Sequence, residues 1–170
     1  MYETPYELLV AVMLSAQCTD KRVNMTTPAF FQRFPSPESL AQASAEEIFP
    51  YIKSISYPNN KSKNLFGMAQ VLVRDFGGVV PDNMDDLQKL PGVGRKTANV
   101  MMAVAFDKPA MPVDTHVFRV ANRIGLTQLE KRFGDRKSIG RPYSGRLAVK
   151  STSLDDYAWT LCLYGAKTEM

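Results

Sequence analysis

The stretch "LPGVGRKTANVMMAVAF", Leu90 to Phe106, decides how this 170-residue chain is read. A polar segment ends at Pro91, Gly92-Val93-Gly94 makes a turn, and an apolar run with helical spacing follows. Gly92 and Gly94 permit positive φ and close main-chain approach, and the next helix begins with unpaired N–H groups facing the turn. By itself such a turn is a sound connector between two helices. With Arg95 and Lys96 immediately after it, it also has the donors and the positive potential to hold a phosphate. Neighbours on a helix point about 100° apart, so the two cations need not share a role. Lys96 suits a phosphate clamp, and a deprotonated lysine amine is also a nucleophile that forms Schiff bases with carbonyl-like carbons.

Further along, "MPVDTHVFRVANRIGL" places Asp114 where a helix N-cap is expected, a role that such an aspartate fills without further chemistry. His116 is the only histidine of the chain, and its type alone suits a helix surface or a satisfied core position. Arg119 and Arg123 lie one turn apart and form either a phosphate-facing stripe or a solvated face.

Around these segments the apolar residues recur at helical spacing up to about Leu126, and strand alternation is scarce. The pattern predicts helices near 5–17, 20–33, 37–43, 45–53, 60–76, 83–89, 94–106 and 115–125. Ser36 before Pro37 reads as an N-cap, Ser44 with Glu47 as a capping box, and Asp20 as a cap for the second helix. The expected architecture is a compact all-α array with short connections.

Composition sets the outer bounds. Apolar residues make up 45% and charged residues 22%, which suits a packed globular chain rather than disorder. No run reaches the roughly 18 to 20 apolar residues of a membrane span, and no signal peptide opens the sequence, so a cytoplasmic protein without a membrane partner is expected. The formal charge of +4 and pI near 9.1 lean toward an anionic partner. Cys18 and Cys162 are too few for a disulfide framework or a metal site readable from spacing.

Taken together, "ELLVAVMLSAQCTD", "LPGVGRKTANV" and "VDTHVFRVANR" resemble the helix-hairpin-helix DNA glycosylase superfamily, over about Tyr2 to Leu126. The resemblance implies a helical barrel lobe over about 1–108, with the helix-hairpin-helix motif near 83–106, and a second lobe beginning at about 109–127. It implies a base-excision enzyme that flips an oxidised pyrimidine out of double-stranded DNA, removes it and nicks the abasic site. Lys96 matches the Schiff-base lysine and Asp114 the catalytic carboxylate. Gln17 matches the glutamine that fills the gap left by the flipped nucleotide. The loop "SISYPNNKSKN", with Tyr57, Asn59 and Lys61, matches the segment that wedges into the opposite strand, Tyr57 standing where many members have leucine. Gly92, Gly94, Arg95, His116 and Arg119 complete the implied DNA contacts. A monomer associated with a bacterial nucleoid through DNA is the corresponding expectation; the alternative is a binding module without catalysis.

The chain departs from the superfamily at both ends. It begins about one helix late, and intact relatives are expected to hold a [4Fe-4S] cluster on four cysteines that are absent here, so no cofactor and no metal are expected in this chain. Residues 128–170 read as an out-of-frame tail. Shifted by one base from Thr152, they permit "HHWMIMHGRYVCMARKPKC", which is similar to a family segment carrying the first two cluster cysteines. Two letters are forced: Trp159 followed by Thr160 gives glycine, and Met170 followed by a stop gives cysteine. The second lobe is therefore expected to be incomplete and the tail to pack poorly.

Overall fold

The computed structural model describes residues 2–112 together with 119, 120 and 123. Seven helices follow in order: α1 (Pro5–Ser15), α2 (Asp20–Arg33), α3 (Pro37–Ala41), α4 (Ala45–Ile52), α5 (Pro58–Phe76), α6 (Met84–Leu87) and α7 (Arg95–Val104). No strand occurs among the described residues, in agreement with the all-α expectation. The helix predicted at 115–125, with Asp114 and His116, and the tail from 128 lie outside the described residues apart from Arg119, Val120 and Arg123.

α1 occupies the centre because its sequence leaves no polar face. Leu8 through Leu14 are all buried, and α2, α5 and α7 pack around them. A helix apolar all round is stable only when enclosed. The other helices are amphipathic and contribute one side each: Val23 and Phe30 from the second, with Phe34 just past its end, Leu65, Met68 and Leu72 from the fifth, Ala98, Val100 and Met101 from the seventh. Tyr6 joins them through its ring, while its hydroxyl donates to the Phe34 carbonyl at 3.2 Å. Burial pushes the Tyr6 phenol pKa up, and the carboxylates of Glu38 and Glu7 add to the effect.

The helix starts follow their capping chemistry. Ser36 and Ser39 exchange hydrogen bonds ahead of α3, and Ser44 and Glu47 form the expected box ahead of α4 at 3.2 and 2.8 Å. Asp20 departs from expectation. Thr19 is the N-cap of α2 and Asp20 is its first helical residue, where a carboxylate still favours the helix dipole.

Two helix boundaries depart in a way that shapes the site. α1 stops at Ser15 rather than running to 17, because Gln17 takes φ 56°, the left-handed region. α5 starts at Pro58 rather than 60, with Tyr57 before it at φ 56° and ψ 51°. Neither residue is a glycine, and Tyr57 precedes a proline, which biases a residue toward extended backbone. Tertiary contacts have overridden local preference at both places.

Candidate active site

The turn from α6 into α7 is held by close packing of main chain on side chains. Gly92 has φ +79°, and a Cβ there would stand 2.8 Å from Asn64 Cβ and 2.9 Å from Met13 Cε. No other residue type satisfies both demands. Gly94 differs from its expected role: its φ is −89°, and it serves as the N-cap of α7 with nothing within 4 Å of where a Cβ would be. Its use is an uncovered backbone beside the first turn of the helix.

That first turn carries Arg95, half-buried, and Lys96, exposed. Lys96 lines an open cleft of about 770 Å³ together with Thr97 and Val100 from the same helix. The opposite wall is the end of α1 and its turn: Val12, Ser15, Ala16, Gln17, Cys18, Thr19 and Asp20. The structure thus brings Lys96 and Gln17 to one cleft, although 78 positions separate them in sequence. Cys18, Thr19 and Asp20 were not expected at the site from sequence; the only pointer to a place there was adjacency to Gln17 in "AQCTD".

Tyr57 and Asn59 stand outside that cleft, both exposed, Tyr57 at 63%. The loop that presents Tyr57 is fastened from beneath. Arg22 donates from Nη1 to the Ser54 carbonyl at 3.3 Å, Thr26 Oγ1 pairs with Ser54 Oγ at 3.3 Å, and Ile55 is buried. Arg22 and Thr26 carry no motif that would mark them from sequence.

Lys61 does not sit where a DNA-facing cation would. Its side chain is buried, only 9% exposed, and Nζ donates to the carbonyls of Leu14 at 2.7 Å and Ala16 at 2.6 Å. These are orphan carbonyls at the end of α1, and an ammonium capping them satisfies both charge and main chain. Burial lowers the Lys61 pKa, and Cys18 nearby partly opposes that shift. Gly92, Gly94, Arg95 and Lys96 form one segment as expected, while Asp114 and His116 lie outside the described residues and Arg119 is exposed.

Among the described residues no three His, Cys, Asp or Glu side chains converge to hold a metal. The two cysteines of this chain do not fit a cluster that needs four thiolates, and Cys18 instead lines the cleft. No helix among the described residues is long and apolar enough to cross a membrane.

Known proteins are similar to this chain in sequence and in fold. The chain is 50% identical over 126 residues to endonuclease III of Bacillus subtilis (strain 168), covering 74% of this chain and 58% of that one. It is 52% identical over 128 residues to endonuclease III of Synechocystis sp. (strain ATCC 27184 / PCC 6803 / Kazusa), covering 75% and 58%. The fold is similar to that of a trapped endonuclease III–DNA covalent intermediate, with a TM-score of 0.72 and 44% identity over 78% of this chain and 62% of the other. A thermostable thymine-DNA glycosylase superposes with a TM-score of 0.67 at 33% identity, over 71% and 56%. The chain spans less than two thirds of the length of these relatives. With the lysine helix and the α1 turn facing one cleft and the glycine turn leading into that helix, residues 10–134 match the family described as HhH-GPD superfamily base excision DNA repair protein, and the chain belongs to that superfamily.

Proposed function

We propose that this chain acts in base-excision repair as a bifunctional DNA glycosylase that removes oxidised pyrimidines from double-stranded DNA and then opens the abasic site through a lysine Schiff base. The observation that carries the reading is Lys96, exposed on the first turn of α7 in a cleft it shares with Gln17. Similarity to an endonuclease III trapped covalently on DNA supports an amine that bonds to the sugar.

In this mechanism the Lys96 amine bonds to C1′ as the C1′–N glycosidic bond breaks, and the base leaves with the electron pair. Asp114 stabilises the cationic sugar and takes a proton from the amine. Ring opening gives an imine that acidifies C2′; loss of that proton expels the 3′ phosphate oxygen, and water then frees the lysine. Gly94 and the N–H groups of the first turn, with Arg95, hold a backbone phosphate. Gln17 occupies the gap in the stack, and Tyr57 enters the opposite strand as an apolar plate. No step runs through an iron–sulfur cluster. The protein acts as a monomer on the nucleoid in a bacterial cytoplasm.

The test is borohydride trapping of the purified chain on duplex DNA bearing an abasic site or thymine glycol, with Lys96→Ala as control. A covalent adduct lost in the variant is expected. Folded, DNA-bound chain that gives no adduct would leave the second reading, a helix-hairpin-helix binding module without catalysis.

A further inference from the structure

Three polar or charged side chains are buried among the described residues: Thr26, Lys61 and Ser62. All three serve the same small region. Thr26 pairs with Ser54 in the loop before Tyr57, Ser62 Oγ donates to the Asn59 carbonyl at 3.0 Å, and Lys61 reaches from the first turns of α5 to the end of α1. A buried ammonium is costly to desolvate, so its hydrogen bonds must hold something in place to justify the burial.

What Lys61 holds is a pair of turns. Its side chain grips the carbonyl of Ala16, the residue before Gln17, and its main-chain N–H donates to the Tyr57 carbonyl at 3.1 Å. Gln17, which follows the bonded Ala16, and Tyr57, whose carbonyl it bonds, both sit at φ 56°. A non-glycine residue in that region persists only where its surroundings impose it. The exposed side chains of Gln17 and Tyr57 do not supply that constraint. The Lys61 ammonium holds the carbonyl before Gln17, and its main chain, as part of the first turn of α5, holds the carbonyl of Tyr57, beside the bonds that Arg22 and Thr26 make to Ser54.

We propose that Lys61 is a positioning residue that locks the Gln17 turn to the Tyr57 turn, so that the two side chains engage a duplex as a single unit. This rests on the DNA-glycosylase reading above, and goes beyond it by assigning the coupling to a lysine that never meets DNA. The lock has a specific signature. Filling a gap and parting the opposite strand are needed only when an opposite strand exists. A single-stranded oligonucleotide with an abasic site asks for Lys96 but not for registered turns.

The experiment compares wild type, Lys61→Met and Lys61→Arg in borohydride trapping on an abasic duplex and on the same abasic strand alone, with circular dichroism to establish folding. Loss of registration predicts that Lys61→Met slows duplex trapping by about tenfold or more while single-strand trapping stays within about twofold. Lys61→Arg, which keeps a charged donor for both carbonyls, restores most of the duplex rate. Equal losses on both substrates, or an unchanged duplex rate, overturn the lock. Should Lys61→Met not fold, Lys61→Gln, which retains one neutral donor, takes its place with the same expected ratio. Absence of an adduct with wild type on either substrate defeats the lyase reading instead. The lock is then read from 2-aminopurine opposite the abasic site, whose emission must rise with wild type and not with the Lys61 variant.

Discussion

A Cβ on Gly92 would stand 2.8 Å from the Cβ of Asn64, closer than packed carbons come, so the lysine turn and α5 are spaced by the absence of a side chain. Gly92→Ala meets that contact and a φ of +79° together. A left-handed alanine costs about 1–2 kcal/mol, and overpacking adds about 1–3 kcal/mol. Denaturant unfolding should show the sum of these losses, with reduced trapping because Lys96 lies four residues on. Gly94→Ala should separate stability from binding. Its Cβ meets open space, so stability should stay within about 1 kcal/mol, while DNA affinity falls because a methyl covers the main-chain donors.

Asp114→Asn should slow base removal by about 10²–10⁴ and leave duplex binding nearly unchanged. Single-turnover rates on thymine glycol, beside a binding isotherm, check this. A comparable loss in affinity would mean that the aspartate supports the fold rather than the sugar.

Tyr6 and Lys61 should give opposite slopes of stability against pH. Burial raises the Tyr6 pKa, so the unfolded chain loses that proton first, near pH 10. The folded state then binds more protons, and stability falls as pH rises past that point. Burial lowers the Lys61 pKa, so between its folded value and the unfolded value near 10.4 the unfolded chain binds more protons, and stability rises with pH. Urea unfolding between neutrality and pH 11 should show a smaller alkaline loss in Tyr6→Phe than in wild type and a larger one in Lys61→Met. At neutral pH, Tyr6→Phe should cost about 0.5–1.5 kcal/mol for the bond to Phe34.

Ser44→Ala removes one half of the box that starts α4 and should cost about 1 kcal/mol. Thermal unfolding checks it. Because α4 packs on α5 behind the Tyr57 loop, the variant should leave single-strand trapping intact.

Much of the helical order was legible because periodicity and caps are local. Ser36, Ser44 and the apolar run of α1 declare themselves within a few residues. The glycine turn and Lys96 were legible as a phosphate-binding hairpin for the same reason, and the resemblance supplied Asp114, Gln17 and Tyr57. Lys61 was not legible. A lysine in "NNKSKN" reads as one more surface cation, and nothing local reveals that the carbonyls of Leu14 and Ala16 need a donor. The left-handed turns were equally hidden, since glutamine and a tyrosine before proline both point away from that backbone region.

The enclosure of α1 also sets an order of events during synthesis. Its apolar surface leaves the ribosome well before α7, which closes one side of it and follows only after Arg95 has been added. At about 5–20 residues per second, that is a wait on the order of 4–16 s. For that interval the nascent chain displays its greasiest segment without its final cover, so chaperone dependence should be set by α1 rather than by the length of the chain.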